Sequence, residues 1–119
     1  MLGKANGYQH LWVDGEGTKT GKARLTWMQG NRFYSYHMAP PAGARFIVAE
    51  SGANDPEFNL RREPALIQRV DGASDAAFVS LLEPHGEYDA SAETTVASSA
   101  RVAALEHRRE GTADLILVT

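Results

Sequence analysis

The clearest pattern of apolar and polar positions in this chain lies between Leu25 and His37, where aromatic and polar side chains alternate on both sides of Gly30-Asn31. Alternation with a period of two is typical of strands. A two-residue Gly-Asn loop between two such runs favours a type II′ turn, because glycine readily takes the positive φ that this turn requires. The turn sets the register of the predicted hairpin: Gln29 opposite Arg32, Met28 opposite Phe33, Trp27 opposite Tyr34, Thr26 opposite Ser35 and Leu25 opposite Tyr36.

This register sorts the side chains of the hairpin between two faces. One face would carry Leu25, Trp27, Tyr34 and Tyr36, and the other would carry Arg24, Thr26, Ser35 and His37. Large aromatic side chains supply much of the buried area of protein cores. We therefore predict that the aromatic face of the hairpin lies in the core.

The rest of the chain also favours strands joined by turns. Apolar runs predict strands near 8–13, 44–50, 65–70, 76–83 and 115–118, the last of them buried, with a loop at 14–21 and a turn at 84–89. The segment 99–110 has the composition and flanking residues of a short helix, but Glu110-Gly111 would also turn a hairpin, and we favour a strand at 102–107. The predicted fold is an all-β antiparallel sandwich of about eight short strands, with that short helix as the alternative.

Length, composition and charge narrow the classes of function. The 119 residues suit one domain spanning 1–119, and 43% apolar with 23% charged residues is ordinary for a globular chain. The net charge of −3 argues against nucleic acid as a partner, and no apolar run is long enough to cross a membrane. The absence of cysteine excludes disulfides, thiolate metal sites and thiol catalysis.

Five sequence motifs follow one another in a fixed order along residues 2–93. They are Asn6-Gly7-Tyr8-Gln9-His10-Leu11-Trp12, Thr26-Trp27 with Gly30-Asn31-Arg32-Phe33-Tyr34, Asp55-Pro56-Glu57-Phe58-Asn59-Leu60-Arg61, Glu63-Pro64-Ala65, and Phe78-Val79-Ser80 with Glu83-Pro84-His85-Gly86. Together they resemble the C-terminal β-domain of the heparinase II/III-like polysaccharide lyases, in particular the oligoalginate lyases of polysaccharide lyase family seventeen.

The resemblance implies that the parent enzyme is much longer than this chain. In that family an N-terminal (α/α) toroid precedes stacked antiparallel sheets, and the enzyme cleaves a uronate polymer by β-elimination. Its catalytic Tyr, His and Asn residues and its zinc ligands would come before this segment. The chain also lacks the family's His-Gly-His-Tyr-Asp and Ala-His-Asn-Thr motifs. The resemblance thus implies an accessory domain without catalytic residues, metal or cofactor, whose bacterial parent is periplasmic or cytoplasmic.

Four residues are candidates for binding an acidic sugar. Trp12 would offer an aromatic platform on one strand face, together with His10, although such a face is also typical of a core. Arg61 and Arg62 would clamp a uronate carboxylate, but adjacent strand residues point in opposite directions, so at most one of them would face a given site. Their alternative role is an ion pair with Glu63 or docking onto the missing domain.

His85 is the fourth candidate. It lies in a turn that holds several acid–base residue types, and the alternative role for this turn is a structural corner. The four histidines lie on separate predicted elements without a His-x-His pair, so we predict no metal site.

Three functions remain open from the sequence. The first is an accessory domain of an alginate-type lyase that docks on the missing toroid domain. The second is a freestanding carbohydrate-binding module that uses Trp12 or Trp27 as its platform. The third is an interaction domain whose exposed apolar surface would support homo-oligomers.

Overall fold

The computed structural model of the chain describes residues 1–18, 21–52 and 62–119, and the described part is built from antiparallel strands. A 3-10 turn at Tyr8–His10 precedes nine strands: β1 Leu11–Thr18, β2 Ala23–Gln29, β3 Arg32–Ala39, β4 Arg45–Gly52, β5 Arg62–Arg69, β6 Val79–Asp89, β7 Thr94–Val96, β8 Leu105–Glu110 and β9 Ala113–Val118. The predicted all-β antiparallel class is confirmed. Among the described residues, no helix is long and apolar enough to cross a membrane.

The chain divides into two compact units, and the first comprises the described parts of Met1–Thr20 and Ala42–Ser74. It contains a three-stranded sheet in the order β1-β4-β5. The central strand β4 supplies the core of this unit, because Ile47 and Ala49 are fully buried. The prediction that residues 1–119 form a single domain stays a prediction.

Strand β1 begins later and ends later than the sequence predicted. Residues 8–10 form the 3-10 turn, which follows Gly7 at a φ of 88°. The expected loop at 14–21 is wrong for its first part, because β1 continues to Thr18 and pairs with β4 down to Arg45. The register shifts between Val13 and Gly15, so Asp14 is the extra residue of a β-bulge. The glycine-rich sequence at 14–18 therefore forms a bulged strand and not the predicted loop.

The second unit comprises Gly21–Pro41 and Asp75–Thr119, with a four-stranded sheet in the order β2-β3-β6-β7 and the separate hairpin β8-β9. Strand β6 extends to Asp89, so the turn predicted at 84–89 is wrong. Pro84 is tolerated within β6 because β7 pairs with β6 only from Glu87 onward, which leaves one edge of β6 without a strand partner at Pro84.

The central hairpin β2-β3 has the register that the sequence predicted, pair for pair from Gln29–Arg32 to Leu25–Tyr36. Gly30 has a φ of 62°, and Asn31 is not among the residues with positive φ. These signs are those of the predicted type II′ turn, since a type I′ turn would need positive φ at both positions.

The prediction that the aromatic face of this hairpin lies in the core is wrong. Leu25 and Trp27 are 42% and 37% exposed, whereas Ser35 and His37 on the opposite face are 0% and 3% exposed. The segment leading into β8 lies over the polar face, and its backbone hydrogen-bonds to side chains there. Periodicity identifies the two faces of a hairpin, but the partner that covers one of them decides which face is buried.

The helix alternative for 99–110 is also wrong. Residues 105–110 form β8, which pairs with β9 around Gly111. The favoured strand at 102–107 therefore begins three residues too early. The expectation of a buried strand at 115–118 is wrong as well, because every residue of β9 is exposed. In the described residues β9 pairs only with β8, so its apolar side chains have one strand neighbour.

We expect Gly86→Ala to destabilise the fold far more than Gly111→Ala. Both glycines have positive φ, at 54° and 63°, which costs an alanine about 1–2 kcal/mol. A Cβ at Gly86 would in addition overlap the carbonyl oxygens of Val96 and Ala97, whereas nothing lies near a Cβ at Gly111. Urea unfolding followed by circular dichroism measures both variants. Equal losses in the two variants would contradict the predicted backbone contact.

Candidate functional site

The first candidate site is an exposed patch on the first unit, formed by Trp12, Glu50, Gly52 and Arg62, which we call the Trp12–Arg62 patch. Trp12 is 40% exposed. Its ring lies against Gly52, where an added Cβ would be 2.8 Å from Cζ3, so the glycine leaves room for the indole. Cζ of Arg62 is 5.7 Å from the centroid of the Trp12 ring, which is a cation–π contact.

Arg62 is held in this patch by a second contact. Its Nη1 donates to Oε2 of Glu50 at 2.9 Å. The structure thus brings together two of the predicted binding residues, Trp12 and Arg62, through strand pairing that places Trp12 opposite Glu50 and Gly52 opposite Arg62. Arg61 lies outside the described residues. His10 lies in the 3-10 turn rather than on the strand, so its predicted alignment with Trp12 on one strand face is wrong.

A buried polar network lies on the covered face of the four-stranded sheet, and it includes His85, the remaining predicted binding residue. His85 is 5% exposed. Nδ1 of His85 is 2.9 Å from the carbonyl oxygen of Ala97, and Nε2 is 2.8 Å from Oγ of Ser35. Because a carbonyl oxygen only accepts, Nδ1 carries the proton and Nε2 accepts from the Ser35 hydroxyl. Ser35 in turn accepts from Thr26 over 2.7 Å.

These contacts engage both ring nitrogens of His85 within the protein. Phe33 stacks on the imidazole with ring centroids 6.0 Å apart. The chain of donors from Thr26 to the Ala97 carbonyl therefore fixes the tautomer and the orientation of the ring. A contact of His85 with substrate stays a prediction.

Glu83 and His37 form the second part of the same network. Nε2 of His37 is 3.0 Å from Oε2 of Glu83. The Glu83 carboxylate also accepts the backbone N–H of Arg101 at 2.7 Å and that of Val102 at 3.2 Å. Burial alone would raise the pKa of Glu83, but the hydrogen bonds from Arg101, His37 and Val102 outweigh it, so the pKa lies below its ordinary value.

Sequence reasoning missed this polar network, although a signal for it was present. Thr26, Ser35 and His37 share one face of the predicted hairpin, and Glu83 and His85 are two residues apart and so share one face of β6. Polar side chains that recur at strand period in neighbouring strands are positioned to satisfy one another.

The third feature is a cavity of about 300 Å³ in the second unit, which we call the Arg32–Arg101 cavity. It is lined by Asn31, Arg32, Gly86, Glu87, Val96, Ala97 and Arg101. Its wall includes a β-bulge in β6, because Arg32 pairs with Glu87 while Phe33 pairs with His85, which leaves Gly86 as the extra residue. None of the predicted site residues that the structure describes lies in this lining.

The described residues offer little for metal chemistry. Within 1–18, 21–52 and 62–119, no group of three or more His, Asp or Glu side chains is placed to hold a metal ion. The described side chains instead form two clusters: an indole with a guanidinium group on the first unit, and two arginines that line a cavity on the second.

These features define an all-β chain with exposed polar and aromatic surfaces, and comparison with known proteins relates it to a group of enzymes. The chain is 50% identical over 117 residues to an alginate lyase from Stenotrophomonas maltophilia. It is 46% identical over 123 residues to an exo-oligoalginate lyase from Saccharophagus degradans. The matches cover 98% and 99% of this chain but only 16% and 17% of the two relatives. No family model matches the chain.

The chain is therefore homologous to a segment of alginate lyases, and it spans about a sixth of the length of the curated relatives it matches. This finding confirms the resemblance to oligoalginate lyases that the five motifs indicated. The wider grouping with heparinase II/III-like lyases stays a prediction.

We expect the carboxylate of Glu83 to make the stability of the fold sensitive to acid. Because its pKa is lower in the folded chain than in the unfolded chain, its stabilisation is fully present above about pH 5 and is lost as the pH falls through the folded-state pKa. Glu83→Gln should therefore be less stable than the parent chain at neutral pH, and this difference should shrink below about pH 4. Urea unfolding at several pH values measures it.

Glu87→Gln on the same strand is the matched control, because no hydrogen bond or ion pair to the Glu87 side chain is present among the described residues. It should leave the free energy of unfolding nearly unchanged at neutral pH. A pH profile of Glu83→Gln that runs parallel to that of the parent chain would contradict the role given to this carboxylate.

Proposed function

We propose that this chain is an accessory β-domain of a longer alginate lyase, which cleaves a uronate polysaccharide by β-elimination, and that the chain supplies no catalytic group of its own. The observation that carries the proposal is the 46–50% identity over nearly the whole chain to about a sixth of two alginate lyases. In this reading the chemistry belongs to the remaining five sixths of the enzyme, and the zinc that the family resemblance implies is bound there.

The buried polar network supports a structural role for the acid–base residues of the second unit. Glu83 and His85 are the residue types that β-elimination would use, but their polar atoms face backbone and side-chain partners inside the unit. A general base must reach a substrate proton directly or through one water. Ser35 at 0% exposure and His85 at 5% lie away from solvent, which fits a role in holding the fold.

The exposed aromatic face of the four-stranded sheet supports docking on the rest of the enzyme. This face carries two rows of side chains paired across three strands: Leu25, Tyr36 and Leu82, then Trp27, Tyr34 and Pro84. Leu82 is 54% exposed, and Trp27 stacks on Tyr34 with ring centroids 5.7 Å apart. An apolar face of this kind marks an interaction surface. The relatives are about six times longer than this chain, so the occupant we propose is the preceding toroid domain.

A second candidate function is binding of an acidic oligosaccharide at the Trp12–Arg62 patch. An exposed indole suits the C–H face of a pyranose ring, and the Arg62 guanidinium suits a uronate carboxylate. The contact between Trp12 and Arg62 favours this candidate over binding at Trp12 alone.

We expect the homologous segment of the Stenotrophomonas maltophilia alginate lyase to be replaceable by this chain. The chimera should release unsaturated uronate from alginate at a rate comparable to the parent enzyme, measured by ultraviolet absorbance, whereas deletion of the segment should abolish activity. The 119-residue chain alone should release none. Release by the chain alone, or an inactive but folded chimera, would contradict the proposal.

Within that chimera, Trp27→Ala tests the docking face and Met28→Ala is its matched control. Met28 is 49% exposed on the opposite face of the same strand. Removing Trp27 should lower the melting temperature of the chimera, because apolar area at the docked interface is lost. The effect should be larger than in the 119-residue chain. An equal decrease in melting temperature in the chimera and in the 119-residue chain would mean that the aromatic face does not contact the rest of the enzyme. Oligomers of the chain that persist in the chimera would instead indicate that this face mediates self-association.

Binding at the Trp12–Arg62 patch can be tested separately by tryptophan fluorescence. Addition of alginate oligomers should quench tryptophan emission of the 119-residue chain, and Trp12→Ala should remove this response while Trp27→Ala keeps it. Quenching that survives Trp12→Ala would eliminate the patch as a binding surface.

A further inference from the structure

The Arg32–Arg101 cavity brings together two arginines from distant parts of the second unit. Arg32 opens β3 directly after the hairpin turn, and Arg101 lies in the segment between β7 and β8. Among the described residues, neither guanidinium group has a hydrogen-bond or ion-pair partner. Arg24 shares this property, whereas the arginines at 45, 62, 69, 108 and 109 are all paired. Two arginines without partners among the described residues line one concave surface, and their N–H groups are donors that a ligand can use.

The charge of the cavity favours an anion. Glu87 also lines it and pairs with Arg32 in the strand register, but no hydrogen bond joins the two side chains. Two arginines and one glutamate leave the lining with a net positive charge in a chain whose overall charge is −3. The positive lining is therefore a local feature, in contrast to the acidic balance of the whole chain.

The wall between the arginines is backbone held in an unusual conformation. Gly86 is the extra residue of the bulge, and its missing side chain allows the carbonyl groups of Val96 and Ala97 to approach. Ala97 has a φ of 50°, which is strained for an alanine, and its carbonyl oxygen accepts a hydrogen bond from Nδ1 of His85 at 2.9 Å. Strained backbone and bulges often occur beside ligand sites, where they set the position of side chains. Here they fix the floor of the cavity relative to Arg32.

We propose that the Arg32–Arg101 cavity binds the carboxylate group of an acidic oligosaccharide. A guanidinium group donates two parallel hydrogen bonds to a carboxylate, which matches this chemistry better than a lysine would. The volume of about 300 Å³ is at the lower end of small-molecule sites, and Val96, which is 58% exposed, offers an apolar contact for the sugar ring. The choice of a uronate as the carboxylate bearer rests on the proposed function.

The test is a titration of the isotope-labelled 119-residue chain with mannuronate and guluronate tetramers, followed by amide chemical shifts. Shifts should appear at Arg32, Gly86, Ala97 and Arg101, and a neutral tetramer of glucose should cause none. Arg32→Ala and Arg101→Ala should each weaken binding about tenfold, because each removes charge-assisted hydrogen bonds.

Arg24→Ala is the matched control for these variants. Arg24 is also exposed, lies in the same sheet and has no side-chain partner among the described residues, but it does not line the cavity. It should change the affinity less than twofold. Equal weakening by Arg24→Ala would mean that only the overall charge of the chain matters, which would overturn the proposal.

We expect Glu87→Gln to increase the affinity for uronate, which a purely structural role of the cavity would not produce. Removing the carboxylate of Glu87 removes repulsion of an anionic ligand, so uronate binding should tighten about threefold. This variant also keeps the proposal testable if an arginine variant fails to fold. Unchanged or weaker binding in Glu87→Gln, or shifts that avoid the cavity, would overturn the proposal.

The chimera assay and the titration together distinguish the cavity proposal from the proposed accessory-domain function. An active chimera together with no uronate binding at the cavity would reject the cavity alone. An inactive, folded chimera together with cavity binding would reject the accessory-domain function and leave a carbohydrate-binding module.

Discussion

The second unit depends most on the hydrogen bonds that the carboxylate of Glu83 makes. This carboxylate accepts two backbone N–H groups from the segment before β8 and contacts His37 on β3, so one side chain connects the sheet to the chain that covers it. A buried carboxylate is costly unless hydrogen bonds satisfy it, and here three partners do so. His85 makes the corresponding connection through the Ala97 carbonyl. These two polar connections explain why Ser35 and His37 on the polar face of the hairpin are buried, whereas Leu25 and Trp27 on the aromatic face are exposed.

The exposure of the aromatic face of the β2-β3 hairpin, where the sequence predicted a buried face, has consequences for function. With the polar face satisfied internally, Trp27 and Tyr34 remain available to a partner, and Ala97 is held where it forms the wall of a cavity. The same connections thus support both the proposed docking face and the proposed carboxylate site. The Trp12–Arg62 patch belongs to the first unit and depends on strand pairing there instead.

The sequence predicted local structure well where a single turn determined it. Gly30-Asn31 was enough for the register of β2-β3, because a two-residue loop that begins with glycine suits a tight hairpin turn and fixes the pairing on both sides of it. Prediction from the sequence failed at Asp14 and Gly86, where bulges continue a strand through residues that otherwise indicate loops. The aromatic face was misassigned because burial depends on a segment about 65 residues further along the chain. The Arg32–Arg101 cavity has no local signature, since it is assembled from three separate segments.

Hydrogen exchange at the backbone amides of Arg101 and Val102 directly tests whether Glu83 holds the covering segment on the sheet. These amides lie outside the strands, so only their hydrogen bonds to Glu83 would slow their exchange. We expect protection comparable to that of amides within β3 and β6 at neutral pH. Exchange as fast as that of the exposed residues around Gly72 would contradict it, because the covering segment would then be detached from the sheet and the polar face would be open to solvent.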